Sequence, residues 1–177
     1  MDRLTTPAAH APEPRVSAAT LLLLAASCGL ITANIYYAQP LAGPIAASLG
    51  LAPGAAGFIV TMTQIGYAAG LMVLVPLGDL VENRNLVVTC VAFGAIALAS
   101  AALSNSAAVF LACSFAIGLG SAGAQIIVPL AANLAPDATR GRVIGLVMSG
   151  LMIGIMAARP VSSFITSQSS RPAVFAA

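Results

Sequence analysis

Apolar residues in this chain come in long blocks that are separated by short polar segments. An α-helix needs about 20 consecutive apolar residues to cross the roughly 30 Å of hydrocarbon in a bilayer. The pattern therefore predicts membrane-spanning helices over residues 17–38, 55–77, 86–104, 107–130 and 143–164. The predicted fold class is an all-α membrane protein, a polytopic bundle of five transmembrane helices (residues 17–165) with the start of a sixth.

Polar segments flank the predicted bundle at both ends. Residues 1–16 contain prolines and several charged side chains, which predicts a solvated tail. Residues 166–177 begin with threonine, serine and glutamine and end in a short apolar piece. That pattern predicts a loop followed by the opening of a truncated sixth span.

Composition excludes a soluble domain. Hydrophobic residues make up 59% of the chain and charged residues 7%, whereas about a quarter of a typical soluble domain is charged. The mean hydropathy is +0.99, so the first expected partner is the lipid bilayer. The net charge of +2 comes without any basic run. We therefore expect no nucleic-acid partner, because such a partner requires clustered positive charge.

The chain shows no residue pattern that is typical of catalysis or metal binding. Its three cysteines, Cys28, Cys90 and Cys113, stand singly within apolar runs and lack the spacing of a metal or redox site. No catalytic dyad lies in or beside the predicted spans. We expect no enzymatic activity, no catalytic residue, no cofactor and no bound metal.

The distribution of arginines predicts the orientation, since the chain contains no lysine. If the spans alternate in direction, Arg3, Arg15, Arg84, Arg140 and Arg142 all fall on one side of the membrane. The uncharged connections on the other side, residues 41–54 and 104–106, carry none. By the positive-inside rule the amino terminus is cytoplasmic, and the residue 166–177 loop is outer. The expected location is a bacterial-type cytoplasmic (inner) membrane.

The polar break between the second and third spans places two carboxylates and an arginine within six residues. Its candidate gating residues are Gly78, Asp79, Glu82 and Arg84. Asp79 lies at the end of the second span, and Arg84 is within reach across the short loop. The two could form a latch that holds one access state and opens in another. The alternative is that these charges only fix the topology.

One charged residue, Arg159, falls inside a predicted span. An arginine at the centre of a bilayer costs at least about 2.5 kcal/mol, but Arg159 lies near the outer end and could snorkel to the interface instead. It could also line a polar cavity with Asn34 and Gln64 and then favour an anionic or carbonyl-bearing substrate. The full set of candidate cavity residues is Asn34, Gln64, Tyr67, Gln125 and Arg159.

Glycines recur at helical spacing within the spans. Pairs of small residues four apart allow the backbones of two helices to approach closely. This spacing predicts helix-packing positions at Gly66 with Gly70 and at Gly150 with Gly154, and the glycine-rich middle of the fourth span adds Gly118 and Gly120 as candidates.

Three stretches resemble signatures of the major facilitator superfamily (MFS), and the chain is most similar to the amino-terminal portion of its drug and sugar efflux (DHA1-like) branch. Residues 78–84 resemble the signature between spans two and three. Residues 118–122 resemble the glycine-rich half of the span-four signature. Residues 145–160 resemble the glycine and proline pattern of span five in exporters.

The chain departs from these signatures at several positions. Leu80 replaces an arginine of the first signature, Ser114 stands where the family has an intramembrane arginine, and Arg159 takes the place of a glycine. No acidic residue or histidine lies inside a predicted span. These departures weaken an assignment of proton antiport.

The resemblance implies secondary transport of a small molecule, in the direction of efflux. A member of this family has twelve helices and a site between two halves, so the resemblance also implies that this chain is truncated and does not transport alone. A missing carboxy-terminal half, or a complementary chain, would then be a partner beside the substrate. The alternative is a non-transporting membrane scaffold or partner subunit, or an inactive remnant.

Overall fold

A computed structural model describes residues 16–174, with the side chains of all of these except residues 53, 166 and 168–174. The predicted tail therefore lies outside the described residues except at Val16. The helices are α1 (Ala18–Tyr36), α2 (Ala42–Ser48), α3 (Ala56–Leu77), α4 (Asn83–Leu103), α5 (Ala107–Ser121), α6 (Ala124–Leu134) and α7 (Arg140–Val174), and a single 3-10 turn precedes α3 at Pro53–Ala55. The described residues contain no strand.

Five segments within the described residues are long and apolar enough to cross a membrane. They are Ala18–Tyr36, Ala56–Leu77, Asn83–Leu103, Ala107–Leu134 and Arg140–Ile165. The predicted fold class, an all-α bundle of five transmembrane helices, is confirmed. Side chains such as Met72, which is 80% exposed, cover the outside of the bundle with apolar surface, as lipid requires.

The last helix extends beyond the predicted end of the fifth span. An outer loop was expected over residues 166–177, yet α7 continues to Val174, and residues 175–177 lie outside the described part. Serine and glutamine are both compatible with a helix, so the change to polar residues did not mark the end of α7.

The fourth span is broken into α5 and α6. At the break the backbone winds more tightly, because the N–H of Ala122 donates to the carbonyl of Leu119 at 3.2 Å and the N–H of Gly123 donates to that of Gly120 at 3.1 Å. Such short i to i−3 turns occur within longer helices at points of strain or movement. The span continues to Leu134, four residues beyond its predicted end.

A short helix lies in the uncharged connection between the first two spans. α2 begins at Ala42 and contains Pro44 in its first turn. Proline is tolerated there because the first N–H groups of a helix have no partner within the helix. Pro40 lies between the end of α1 and the start of α2.

Glycines hold α1 against α7. A Cβ added at Gly150 would overlap the carbonyl oxygen of Ala25, and one added at Gly154 would overlap that of Gly29. In the other direction, a Cβ at Gly29 would lie 2.5 Å from the carbonyl oxygen of Gly150. Residue numbers increase in both helices from one contact to the next, so α1 and α7 run in the same direction. We call these four residues the α1–α7 seam.

A second seam of the same kind joins α3 to α5. A Cβ at Gly66 would overlap the carbonyl oxygen of Phe115, and one at Gly70 would lie 2.7 Å from that of Leu119. A Cβ at Gly118 would overlap the carbonyl oxygen of Thr63. These residues form the α3–α5 seam.

The two seams share a sequence pattern. Gly66, Gly70 and Pro76 in α3 have the same spacing as Gly150, Gly154 and Pro160 in α7. Both glycine pairs pack on a neighbouring helix that runs in the same direction. Two copies of one packing unit, α1 with α7 and α5 with α3, therefore build the bundle, as expected of an internal repeat.

α6 fills the space between α1 and α7 and completes the core. The buried residues there come from three helices and the segment after α6, and they are Cys28, Ile31, Ala124, Ile127, Ala131, Ala135, Val143, Val147 and Leu151. Most are small or β-branched, which permits close approach of helices in a bundle that lacks a hydrophobic driving force between its members.

Candidate functional site

The loop between α3 and α4 places its charged groups apart. Gly78 is the residue that ends α3, and Glu82 is the residue that precedes α4. The Glu82 carboxylate accepts a hydrogen bond from the Asn85 side-chain amide at 2.9 Å. Asp79 and Arg84 are both exposed, and neither forms an ion pair within residues 16–174. The hypothesised latch is open in this conformation.

The connection between α6 and α7 holds an ion pair that sequence reasoning missed. Arg140 contacts the carboxylate of Asp137 at 2.7 Å, and its Nε donates to the carbonyl of Ala132 at 3.2 Å. That carbonyl belongs to the last turn of α6, whose carbonyls lack partners within the helix. Arg140 thus ties the end of α6 to the start of α7. The signal was an arginine three residues after an aspartate at a helix start.

Two of the candidate cavity residues meet across the bundle. The side-chain amide of Gln125 in α6 donates to the hydroxyl of Tyr67 in α3 at 2.9 Å, and both side chains are half-buried. The phenolic O–H of Tyr67 and the carbonyl oxygen of Gln125 have no further partner among the described residues. Gln64 lies one turn away on α3 and is exposed. The three side chains offer hydrogen-bond donors and acceptors without any charge.

Asn34 lies on another surface. It lines a cavity of about 240 Å³ between α1, α4 and α5, together with residues such as Gly94 and Ser121. Gln64, Tyr67, Gln125 and Arg159 do not line this cavity. This cavity therefore does not bring the five candidate residues together.

Arg159 is exposed near the end of the fifth span and contacts α1. One of its terminal nitrogens donates to the side-chain oxygen of Gln39, which lies just beyond α1. The sequence left two interpretations open for Arg159, lining a cavity and snorkelling to the interface. The contact adds a third role, because it joins α7 to the segment that follows α1, beyond the α1–α7 seam.

Within the described residues, no group of three histidine, cysteine, aspartate or glutamate side chains is close enough together to hold a metal ion. Cys28 is buried, and its thiol contacts the carbonyl of Ala124 at 3.7 Å. Cys90 packs against the glycine-rich break of the fourth span, where a Cβ at Gly123 would lie 2.8 Å from its own Cβ. Both cysteines are packing residues.

Replacing Tyr67 by phenylalanine should weaken the bundle slightly. The change removes the acceptor of the Gln125 amide, and an interhelical hydrogen bond in a membrane protein contributes about 0.6 kcal/mol. We expect a small decrease in the thermal unfolding temperature of the detergent-purified chain. Tyr36→Phe is the control, because the Tyr36 hydroxyl has no partner among the described residues. Equal shifts for both variants would show that the bond does not stabilise the bundle.

The sequence of the chain matches a known family and several known proteins. The profile of the Major Facilitator Superfamily matches residues 20–177. The chain is 44% identical over 164 residues to "Uncharacterized transporter YgaY" of Escherichia coli O157:H7, an alignment that covers 93% of this chain and 42% of that protein. It is 37% identical over 164 residues to "Probable transporter SCO4007" of Streptomyces coelicolor, covering 88% of this chain and 37% of that protein.

No solved structure matches the chain. The chain spans about two-fifths of the length of these relatives. The family profile nevertheless covers the helical bundle from residue 20 onwards, and the bundle contains five helices that are long and apolar enough to cross a membrane. This chain is a multi-pass membrane protein and belongs to the major facilitator superfamily.

Proposed function

We propose that this chain is a truncated amino-terminal portion of a secondary transporter of the drug and sugar efflux type, which exports a small molecule across a bacterial cytoplasmic membrane. The observation that carries the proposal is the 44% identity, along 93% of the chain, to a protein named as a transporter. A scaffold or partner subunit finds no such support. Because each relative is more than twice as long as its aligned part, a second half would complete the transport pathway.

The substrate would contact the uncharged polar side chains of the bundle. Tyr67 and Gln125 are already oriented by their mutual hydrogen bond, and Gln64 lies exposed beside them. Fixed amides and hydroxyls recognise neutral polar groups, because a site that offers hydrogen bonds rejects analogues that cannot form them. Asn34 and Arg159 would contribute from separate surfaces, after the second half has closed the pathway.

The loop with Gly78, Asp79, Glu82 and Arg84 would act as the gate. Asp79 and Arg84 are unpaired within the described residues, so both are available to a partner that forms in another access state. The arginine distribution supports a cytoplasmic position for this loop and for the amino terminus.

A chimera tests the proposal. This chain would replace the aligned 164 residues of the Escherichia coli relative, and the chimera would be expressed in a strain that lacks that relative. Intracellular accumulation of a panel of labelled antibiotics, dyes and sugars would be measured for the relative, the chimera and this chain alone. We expect the relative and the chimera to lower the accumulation of the same compounds, and this chain alone to have no effect.

Two results would contradict the proposal. A relative that exports a compound while the correctly inserted chimera does not would show that this chain is no functional half. Uptake instead of export by both proteins would remove the efflux assignment while preserving transport.

A further inference from the structure

The break in the fourth span is held between two neighbouring helices. On one side, a Cβ added at Gly70 of α3 would lie 2.7 Å from the Cβ of Ala122. On the other side lies Cys90 of α4. A Cβ at Gly120 would lie 2.9 Å from the carbonyl oxygen of Cys90, and one at Gly123 would lie 2.8 Å from its Cβ. We call Gly70 and Cys90 the clamp, because they contact the break from opposite helices.

The break is wound more tightly than an α-helix. Ala122 has φ −63° and ψ −19°, and Gly123 has φ −55° and ψ −25°, which are values of a 3-10 helix. The N–H groups of Gln125 and Ile126 also donate three residues back, at 3.0 and 3.1 Å. A 3-10 helix turns by about 120° per residue and an α-helix by about 100°. Two such residues therefore rotate α6 by roughly 40° relative to a regularly wound span.

This rotation decides where the amide of Gln125 lies. Side chains extend to about 5–6 Å from the axis of a helix, so a rotation of roughly 40° moves the end of a side chain by about 4 Å. The amide donates to the hydroxyl of Tyr67 at 2.9 Å, and a separation beyond about 3.5 Å is no longer a hydrogen bond. With the same rotamer, Gln125 on a regularly wound span would miss the hydroxyl.

Both residues of this hydrogen bond lie next to the clamp. Tyr67 precedes Gly70 by three residues in α3. Gln125 follows Gly123 by two residues. Gly118 fixes the position of Tyr67 further, since a Cβ added there would lie 2.8 Å from the backbone nitrogen of Tyr67. A shift of the break against α3 or α4 therefore changes the distance between the amide and the hydroxyl.

The contact between Cys90 and Gly123 thus does more than fill space. We propose that Cys90 and Gly123 are positioning residues, whose contact keeps the break tightly wound and thereby directs Gln125 towards Tyr67. Both act through Gln125, and neither touches the substrate in this role. The consequence for transport rests on the function proposed above, whereas the orientation of Gln125 does not.

Gly123→Ala adds the methyl group that the contact excludes. The φ of Gly123 suits alanine equally well, so any effect comes from the contact with Cys90 and not from the backbone conformation. The readout is the NMR signal of the Tyr67 phenolic carbon in the detergent-purified chain with carbon-13-labelled tyrosine, assigned by its loss in Tyr67→Phe. Gln125→Met gives the position of this signal without the hydrogen bond. We expect Gly123→Ala to move the signal to that position and to leave the other two tyrosine signals unchanged.

Cys90→Gly supplies the rescue. In the double variant Gly123→Ala/Cys90→Gly the new Cβ takes the space of the one that is removed, so the Tyr67 signal should return to its wild-type position. Gly145→Ala is the control, since a Cβ at Gly145 meets no heavy atom within 4 Å, and it should leave the signal in place. A role in packing alone would lower the unfolding temperature of Gly123→Ala without moving the Tyr67 signal.

Two results would overturn the proposal. One is a folded Gly123→Ala variant whose Tyr67 signal coincides with that of the wild type, and the other is a signal that stays displaced in the folded double variant. If Gly123→Ala does not elute as a folded species, Cys90→Gly alone decides. Removing that side chain frees the break, so the Tyr67 signal should move part of the way, and an unmoved signal overturns the proposal.

Export by the chimera with the Escherichia coli relative separates this proposal from the proposed function. We expect Gly123→Ala to lower the export rate by the same factor as Gln125→Met, and the two changes together to lower it no further. Export that falls in Gln125→Met and not in Gly123→Ala would overturn the positioning role. A wild-type chimera without export would contradict the proposed function, and the Tyr67 signal would still decide how Gln125 is oriented.

Discussion

Gly150→Leu should prevent this chain from forming a stable bundle. Even the Cβ of the new side chain would overlap the carbonyl oxygen of Ala25, and a helix backbone cannot turn aside as a flexible side chain can. Overpacking costs about 1–3 kcal/mol even where side chains can adjust, and we expect about 3 kcal/mol or more here. Since a whole domain is stable by only about 5–15 kcal/mol, the loss should appear as aggregation or a large decrease in unfolding temperature.

The same helix supplies the control. Gly145→Leu adds the same side chain to α7 at a position where a Cβ meets nothing, so insertion, hydrophobicity and helix propensity change equally in both variants. Size-exclusion chromatography and thermal unfolding in detergent would compare them. If Gly150→Leu elutes and melts as Gly145→Leu does, α1 and α7 do not pack through this seam. Gly150→Ala should give a smaller loss, because only the Cβ must be accommodated.

The sequence predicted the helices well because the bilayer imposes a simple rule on them. Hydrocarbon leaves every unpaired backbone group unsatisfied, so an apolar block of about 20 residues must be helical. The small-residue spacing of Gly66 and Gly70 likewise indicated a close contact, since small residues let helix backbones approach. The spacing could not identify the partner helix, because it does not show which helix packs against the glycines. Ala25 and Gly29 are recognised as seam residues only from the structure, in which α7 packs against α1.

The polar side chains were harder to group from sequence. Tyr67 and Gln125 are 58 residues apart, and their contact depends on the rotation of α3 and α6 about their axes. A shift of one residue rotates a helical side chain by about 100°, so an apolar block fixes the depth of a polar residue and leaves its direction open. Asn34 and Gln64 were predicted to line one cavity, yet Asn34 lines a cavity to which Gln64 does not contribute. Arg159 was noticed because it is charged, whereas its partner Gln39 had no distinguishing signal.

The two charged loops differ in whether their aspartate has an ion-pair partner in this bundle. The aspartate between α6 and α7 has one, and the aspartate between α3 and α4 has none among the described residues. Asp137 is held by Arg140. Asp79 follows the carboxyl end of α3, and its N–H donates to the carbonyl of Pro76 at 3.1 Å. That end of a helix carries partial negative charge, which disfavours a carboxylate. Asp79 therefore lies at an electrostatically unfavourable position and has no ion-pair partner among residues 16–174. This is expected of a residue that forms its ion pair in another conformation.

Asp79→Asn should therefore affect transport and not folding. In this chain the change removes an unfavourable interaction with the α3 dipole, so we expect the unfolding temperature to stay the same or rise slightly. In the chimera with the Escherichia coli relative we expect export to slow about tenfold, because loss of a latch worth about 1.4 kcal/mol changes the balance of access states by that factor. Export would be measured as the initial rate of loss of a preloaded compound, at equal protein abundance.

Asp137→Asn should behave in the opposite way, and it makes the test specific. It breaks the contact with Arg140, a solvent-exposed pair that stabilises by up to about 1 kcal/mol, while Arg140 keeps its bond to the Ala132 carbonyl. We expect a slightly lower unfolding temperature and an unchanged export rate. Slowed export in both variants would show a general need for negative charge at this face of the membrane. Unchanged export in Asp79→Asn would remove the latch and leave Asp79 and Arg84 as charges that only fix the topology of the chain.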